Sequence, residues 1–367
     1  MAAGAAIGWR SPRCEVPEAG ALRPGRLLAV RCGAFGDMVL LTALIRELHA
    51  LWQCPIDIVT SGPWSDPLLR GQPGVGDVFT LRSRKTPYWL APDQWRVTRA
   101  LRARAAAPAW FCDGGDAGKA LLERAGIGAS CLVDVNDHPL LPGEHATEAW
   151  RRLAQLRPPA WADFAWPGAM TNSSGCQLIV SEQQQSELSA WLRVRALAGR
   201  PLILVQMGNK RTMRRGLRRL AVNHKHWPQQ RWAEVIAHVR RRCPNHLILL
   251  LGTPPESELN RELVASAGIT GLHDIADDLP VPRLVALLSR SDALITVDSG
   301  PAHAAAAVGC PQVVLFGKAS PALYRPWGVA GAQVEVLRGE QGGAPSMLGI
   351  GAAEVIAAWD RLVRRSP

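Results

Sequence analysis

The strongest constraint on the fold is a pattern of short apolar runs that alternate with amphipathic stretches. In the first half of the chain the apolar runs predict buried strands, and the apolar spacing of Met38–Trp52 predicts a helix. The predicted strands are Leu27–Arg31, Ile56–Thr60, Val78–Leu81, Trp110–Asp113 and Cys131–Val133. Because strands that alternate with helices pack as a parallel sheet covered on both faces, this half predicts a doubly wound α/β domain.

The alternation breaks in Pro-, Trp-, Ser- and Gly-rich sequence at 156–175 and then restarts, which predicts a second domain of the same kind. Its predicted strands are Leu202–Gln206, His246–Leu251, Leu272–Ile275, Ala293–Val297 and Gln312–Phe316. Its predicted helices are Glu182–Ala196, Gln229–Arg242, Glu256–Ala267, Val281–Ser289, Ala302–Val308 and Ala352–Val363. We expect two doubly wound Rossmann-like domains that face a central cleft, with ligands beyond the carboxyl ends of the strands.

Domain boundaries follow from the same pattern. Residues 1–26 are rich in Pro, Gly and Ala, and we expect a disordered leader there. The two domains are expected at 27–175 and 176–350, followed by a C-terminal helix at 351–367. No apolar run approaches the roughly 20 residues that span a bilayer, and the first 26 residues lack a secretory apolar core. A cytoplasmic protein is therefore expected.

The charge balance narrows the classes of partner. The chain has 42 Lys and Arg residues against 31 Asp and Glu, a formal net charge of +11. Such an excess favours nucleic acid, an anionic membrane surface or a phosphorylated substrate. Nucleic acid is disfavoured because no zinc finger or aromatic-interleaved basic motif accompanies the arginines. The eight cysteines form no CxxC motif and no Cys/His pair at metal-ligand spacing, so no metal site is expected.

Two loops join a predicted strand to a predicted helix and could carry chemistry. Asp37 ends the glycine-containing loop 33–37, where it is either a helix cap or an ionised carboxylate that takes a proton from an attacking hydroxyl. The loop Asp298–His303 is either an ordinary capped turn or a cradle of backbone amides for a diphosphate.

Basic residues suggest two further anion contacts. Lys225 precedes the predicted helix Gln229–Arg242, where a cation is locally unfavourable unless it faces a bound anion. The run Lys210–Arg219 is either a solvated face or a basic loop that binds phosphate groups on an acceptor or a membrane. Its candidate phosphate-binding residues are Lys210, Arg211, Arg214 and Arg215.

Together these segments resemble glycosyltransferase family 9, the ADP-heptose:lipopolysaccharide heptosyltransferases. The matching segments are Gly36–Val39 with Thr42, Lys225–Pro228, Asp298–His303, Gly309–Pro311 and Leu315–Gly317. The resemblance covers roughly residues 27–363 and implies a GT-B fold, with an N-terminal acceptor domain and a C-terminal nucleotide-sugar domain. The last helix in this family often crosses back to the N-terminal domain.

The resemblance also implies a reaction and its partners: inverting transfer of a heptose from an ADP-activated donor to the lipopolysaccharide core or a related surface glycan. The acceptor would be lipid-linked or phosphorylated, and a monomer would touch the anionic face of the inner membrane transiently. The nucleotide sugar is a co-substrate, and no cofactor is required. The absence of an Asp-x-Asp triplet fits stabilisation of the leaving group by protein groups.

Individual roles follow from the same resemblance. Asp37 matches the general base, with Gly36 beside it in the acceptor loop, and Lys225 matches the residue that binds the donor phosphates. The other donor-binding positions are Glu256 for the ribose, Asp298 for the sugar, and Ser299, Gly300 and His303 for the diphosphate.

Departures from the family pattern leave the transferred sugar open. Met207-Gly208 stands where the family often has Pro-Gly, Ala43 and Lys318 replace common prolines, and the run Lys210–Arg219 is not a general family feature. The alternatives are a GT-B enzyme that uses another nucleotide sugar, a basic non-catalytic protein that binds nucleic acid or another anion, and a non-catalytic family member.

Overall fold

The computed structural model describes residues 24–83, 86–104, 107–209, 213–214, 217–218 and 223–365. The chain divides into two compact units that are not continuous halves. The first contains the described residues of Met1–Gly33, Glu47–Pro139 and Arg152–Met170, and the second contains those of Ala34–Arg46, Leu140–Arg151 and Thr171–Pro367. The predicted domain boundaries stay predictions.

The first unit is built on a five-stranded parallel sheet with the strand order β3-β2-β1-β4-β5. Its strands are β1 Leu27–Val30, β2 Ile56–Ser61, β3 Val75–Leu81, β4 Ala109–Phe111 and β5 Leu132–Asp134. The first five helices are α1 Phe35–Trp52, α2 Ser65–Leu69, α3 Pro92–Arg102, α4 Asp116–Arg124 and α5 Ala146–Ala154. Strands β1 and β4 are buried along their whole length, as expected for a sheet covered on both faces.

The second unit is built on a six-stranded parallel sheet with the order β10-β9-β6-β11-β12-β13. Its strands are β6 Leu202–Gln206, β9 Leu247–Leu250, β10 Leu272–Asp274, β11 Ala293–Val297, β12 Gln312–Phe316 and β13 Val334–Arg338. Two short antiparallel pairs are β7 Met213–Arg214 with β8 Leu217–Arg218, and β14 Glu340–Gln341 with β15 Ala344–Pro345.

The helices from 182 onward are α6 Glu182–Val194, α7 Gln229–Arg242, α8 Ser257–Ala267, α9 Val281–Arg290, α10 Gly300–Val308, α11 Pro321–Tyr324 and α12 Ala352–Arg365. The core of this unit includes Trp227 and Trp232, whose rings meet edge to face with their centroids 4.8 Å apart. Helix α12 packs into the same core through Trp359 and Leu362. No helix in the described part of the chain is both long and apolar enough to cross a membrane.

The predicted α/β class is confirmed, and most differences lie at the ends of elements. Strands β6, β11 and β12 and helix α7 have the predicted bounds, whereas α1 and α10 begin earlier than predicted, at Phe35 and Gly300. The α10 start follows from Pro301, which tolerates the first helical turn because the N–H it lacks has no intrahelical partner there. The edge strand β13 and helices α2 to α5 were not among the predicted elements.

Candidate functional site

The topology of the second sheet indicates where a ligand binds. The connection from β6 leads to one side of the sheet and the connection from β11 leads to the other, so the strand order reverses between these two neighbours. In doubly wound sheets ligands bind beyond the carboxyl ends of the strands at this reversal. The loop after β6 contains Gly208, and the loop after β11 begins with Asp298.

The loop after β11 ends at an uncapped helix N-terminus. The amide of Asp298 donates to the carbonyl of Leu315 at 2.8 Å, which continues the sheet by one residue. Ser299 is the N-cap residue of α10, but its side chain makes no capping bond, and its Oγ instead lies 3.2 Å from Oγ1 of Thr296. The N-cap side chain therefore does not satisfy the first-turn amides of α10, which form a polar end suited to an anion.

Lys225 and Asp298 form an ion pair at this loop. The Lys225 ammonium lies 2.7 Å from Oδ2 of Asp298 and also donates to the Asp298 carbonyl at 2.7 Å. Asp298 is buried and Lys225 is half-buried, and the Lys225 amide donates to Oδ1 of Asn223 at 3.2 Å. An ammonium has three N–H donors, so one remains for a ligand. The structure thus joins the predicted phosphate contact to the predicted sugar contact.

Two glycines allow the N-termini of α1 and α10 to approach each other. A Cβ atom on Gly36 would lie 3.2 Å from Cα of Gly300 and 3.3 Å from the His303 ring. A Cβ atom on Gly300 would overlap the Phe35 ring and lie 3.0 Å from the Gly36 amide nitrogen. A Cβ atom at Gly300 would therefore require Phe35 to move, and one at Gly36 would require a smaller shift of its neighbours, because the two backbones pack directly against each other. The role of Gly36 in acceptor binding stays a prediction.

Asp37 lies in the first turn of α1, half-buried. Its Oδ2 accepts a hydrogen bond from the Ala34 amide at 2.7 Å, which explains why the helix begins before the predicted residue Met38. The negative charge of a carboxylate at this position interacts favourably with the N-terminal end of the helix dipole. Its charge also acts on His303, whose pKa it raises.

His303 is a buried histidine near both carboxylates. Burial lowers its pKa to about 4, with Lys225 and His145 lowering it further and Asp298 and Asp37 opposing the shift. Its Nδ1 is buried and has no hydrogen-bond partner among the described residues. At neutral pH His303 is therefore uncharged, and it can offer a ligand a hydrogen bond but no positive charge.

The "α10 site" denotes this cluster of second-unit residues: Asp37, Lys225, Asp298, Ser299, Gly300 and His303.

His145 was missed by the sequence analysis. His145 is buried, and its Nδ1 accepts a hydrogen bond from the Thr147 amide at 3.2 Å. Because Nδ1 accepts, the ring proton is on Nε2, which donates to the Arg325 carbonyl at 2.9 Å. Burial lowers its pKa, and its charge in turn affects His303. No local motif surrounds His145, so the sequence offered no signal for this position.

Glu256 lies apart from these groups, in the 3₁₀ turn Pro254–Glu256 after β9. Its Oε2 accepts from the Thr253 amide at 2.9 Å and from the Thr253 hydroxyl at 2.8 Å. Its Oε1 is buried without a partner among the described residues, and a Cβ atom on Gly208 would overlap it. Burial raises the pKa of this carboxyl, while the bonds from Thr253 oppose the shift. A ribose reaches Oε1 only if the side chain or the loop after β6 moves.

The basic run cannot be placed with these groups. Lys210, Arg211 and Arg215 lie outside the described residues, and Arg214 is described only as part of the backbone of β7. Their predicted contacts with phosphate stay predictions. Among the residues that the structure describes, no group of three His, Cys, Asp or Glu side chains could hold a metal ion.

Comparisons with known proteins show the family of the chain. The sequence model of glycosyltransferase family 9 (heptosyltransferase) matches residues 130–344. Lipopolysaccharide heptosyltransferase 3 of Escherichia coli is 31% identical over 152 residues, which are 38% of this chain and 44% of that protein. Lipopolysaccharide heptosyltransferase 2 of Salmonella typhimurium is 23% identical over 326 residues, which are 82% of this chain and 85% of that protein.

The fold is shared with a solved enzyme. The structure of E. coli ADP-heptose lipopolysaccharide heptosyltransferase II superimposes with a TM-score of 0.69 at 22% sequence identity, covering 93% of this chain and 99% of that one. This likeness confirms the predicted GT-B class.

Proposed function

The chain belongs to glycosyltransferase family 9, the heptosyltransferase family, and from this membership we propose that it transfers a heptose from an ADP-activated donor, with inversion, to a lipopolysaccharide core or related surface glycan. The observation that carries the proposal is the α10 site, where a carboxylate, an ammonium and an uncapped helix N-terminus lie together. Inverting transfer needs a base for the acceptor hydroxyl and donors for the departing diphosphate.

Asp37 is the proposed general base. It takes the proton from the acceptor hydroxyl as that oxygen attacks the anomeric carbon of the heptose, while the bond from the anomeric carbon to the diphosphate breaks. The amide of Ala34 holds Oδ2 of Asp37 at the N-terminus of α1, and a carboxylate is the form of this side chain that accepts a proton.

Lys225 and the first turn of α10 are the proposed holders of the diphosphate. The third N–H of Lys225 and the first-turn amides supply donors that are already oriented before the donor binds. Asp298 orients the ammonium through two contacts and remains available to the sugar. Uncharged His303 adds a hydrogen bond, and Glu256 accepts from the ribose after a local rearrangement. No metal or other cofactor is part of this proposal.

The acceptor side of the proposal rests on the family and on charge. The relatives act, by their names, on lipopolysaccharide, so we propose a lipid-linked or phosphorylated glycan acceptor, a cytoplasmic location at the inner membrane and a monomeric enzyme. The basic run Lys210–Arg219 is proposed to meet acceptor phosphates.

A donor screen tests the proposal directly. Purified protein is incubated with ADP-heptose or with a set of UDP-sugars, with and without a lipopolysaccharide core acceptor lacking the terminal heptose, and products are analysed by mass spectrometry. We expect the mass of the acceptor to increase by one heptose when ADP-heptose is the donor, and to stay unchanged when a UDP-sugar is the donor. Transfer from a UDP-sugar and not from ADP-heptose would replace the proposal by a GT-B enzyme of different donor specificity. If the protein neither transfers a sugar nor binds ADP, a non-catalytic anion-binding protein is favoured.

A further inference from the structure

Helix α3 and the turn before it expose large apolar side chains that the α10 site does not use. In the 3₁₀ turn Tyr88–Leu90, Trp89 is 70% exposed and Leu90 is 55% exposed, and Trp95 in α3 is 45% exposed. The Trp95 indole donates to the Tyr88 carbonyl at 2.6 Å, so its ring lies beside the turn that carries the other two. The three exposed side chains thus lie on two adjacent segments of the first unit, and we refer to them together as one apolar patch.

Arginines surround this patch. Arg96, Arg99 and Arg102 are exposed on α3, where Arg99 and Arg102 follow Trp95 at helical spacing, and the opposite face of the helix is buried. Exposed Arg82 is held beside the start of α3, because its amide donates to Oδ2 of Asp93 at 2.7 Å.

The charge of these arginines is not neutralised locally. Within the described part of the chain, Arg82, Arg96 and Arg99 form no ion pair with a carboxylate. Between residues 82 and 104 the sequence has seven Lys and Arg residues and a single acidic residue, Asp93, and of these seven Arg104 is paired with Asp57 and Asp77. The surface thus combines a strong positive potential with exposed tryptophan.

We propose that this "α3 surface", formed by Arg82, Trp89, Leu90, Trp95, Arg96, Arg99 and Arg102, docks the protein on an anionic lipid bilayer. Tryptophan partitions to the interface between lipid and water because its ring is apolar while its N–H is polar, and unpaired arginines attract anionic headgroups. The inference rests on the proposed function in one respect: docking brings the enzyme to a lipid-linked acceptor. The binding itself requires neither substrate.

Co-sedimentation with vesicles tests the inference. The wild type should bind vesicles that contain phosphatidylglycerol, release them at high salt, and bind vesicles of phosphatidylcholine alone weakly. The double variant Arg96→Gln/Arg99→Gln should lower the partition coefficient about 20-fold, since each arginine near an anionic surface contributes about fivefold. Trp89→Ser/Trp95→Ser should lower it roughly tenfold or more, because the apolar contact is lost.

Matched controls come from the second unit. Arg193 and Arg241 are exposed arginines, and Val194 is an exposed apolar residue, all outside the α3 surface. Arg193→Gln/Arg241→Gln and Val194→Ser should bind vesicles as the wild type does. Thermal unfolding of every variant checks that the fold is retained.

Three results would overturn the inference. The wild type could bind both kinds of vesicle equally, or both α3 variants could bind vesicles as the wild type does. The third is that, without lipid, the wild type is a dimer and the tryptophan variant is a monomer. The last would make the patch a contact between copies of the chain. The proposed function fails separately, if the protein binds vesicles but neither binds ADP nor transfers heptose.

Discussion

The α10 site and the α3 surface both carry cationic side chains, but the two regions differ in whether these side chains are buried and paired with a carboxylate. In the α10 site the Lys225 ammonium is paired with buried Asp298, and His303 is kept neutral. On the α3 surface the arginines are exposed and unpaired among the described residues. Buried charge pairs act at short range in low dielectric, whereas exposed charges act at long range and are screened by salt. The contrast is consistent with the chemistry proposed for the first region and with the anionic partner proposed for the second.

The largest expected effect tests whether Asp37 is chemical or only a helix cap. Asp37→Asn should lower kcat by about 10²–10⁴-fold, the usual range for loss of a general base. Its side-chain oxygen can still accept from the Ala34 amide, so the thermal unfolding midpoint should change little. Steady-state kinetics with saturating donor measure the effect.

The matched control is Asp116→Asn. Asp116 also lies in the first turn of a helix that follows a strand and a glycine-containing loop, in α4. Its replacement should leave kcat unchanged. If Asp37→Asn and Asp116→Asn both retain the wild-type rate, Asp37 is only a cap.

The next largest effect concerns the neutral state of His303. Its pKa falls from 6.5 to about 4 on folding, so its contribution to stability is complete above pH 6.5 and is lost as the pH falls through about 4. Relative to His303→Leu, the wild type should lose about 3 kcal/mol of unfolding free energy between pH 7 and pH 4. Urea denaturation at several pH values measures the difference. A difference that stays constant with pH would show that His303 is not buried in its neutral form.

A double-mutant cycle separates the structural role of the Lys225–Asp298 pair from its role in donor binding. Lys225→Met leaves the buried Asp298 carboxylate without its cation and should cost about 1–2 kcal/mol of unfolding free energy. ADP affinity, measured by calorimetry, should fall at least about tenfold, because a charged hydrogen bond to phosphate is lost.

Adding Asp298→Asn to Lys225→Met should restore most of the stability and none of the ADP affinity. Recovery of ADP affinity in the double variant would mean that the ion pair is purely structural. High salt should change these stabilities far less than it changes vesicle binding by the α3 surface.

The smallest effect concerns Glu256. Burial raises the pKa of Glu256 above its ordinary value of 4.5. Protonation of Glu256 therefore contributes to the unfolding free energy, and this contribution is present below pH 4.5 and is lost as the pH rises through the folded pKa. Glu256→Gln should therefore modestly raise the unfolding free energy at pH 7, and this gain should disappear in acid. If Glu256→Gln is less stable than the wild type at pH 7, the hydrogen bonds to the ionised carboxylate outweigh the cost of burying its charge.

The local sequence was enough to predict elements whose ends carry strong signals. Helix α10 illustrates this point, because Pro301 in its first turn and Gly309 after its last residue, with a positive φ of 87°, predicted its start to within two residues and its end correctly. Helix α3 was not predicted, although its Pro and Asp at the N-terminus are typical helix-start residues. Strand β13 is an edge strand only partly buried, so its apolar pattern is weak.

Pairing among distant residues could not be predicted in the same way. The contact of Gly36 with Gly300, the contacts of Lys225 with Oδ2 and the carbonyl of Asp298, and the electrostatic influence of His145 on His303 join segments far apart in sequence. Each of these contacts depends on how helices pack on the sheet. The sequence motifs named Gly36, Gly300, Lys225 and Asp298 individually but not their pairing, and His145 had no motif at all.

The sequence by itself determined the α/β architecture, the family and the residue types available for transfer, because hydrophobic periodicity and short turn motifs are local properties of a chain. Only the tertiary structure decided the states of those residues. It paired Lys225 with Asp298 and buried His303 without a partner for Nδ1 among the described residues. It also brought the Trp95 indole to the turn that carries Trp89. Burial and pairing set pKa and charge, and both arise only when distant segments pack together.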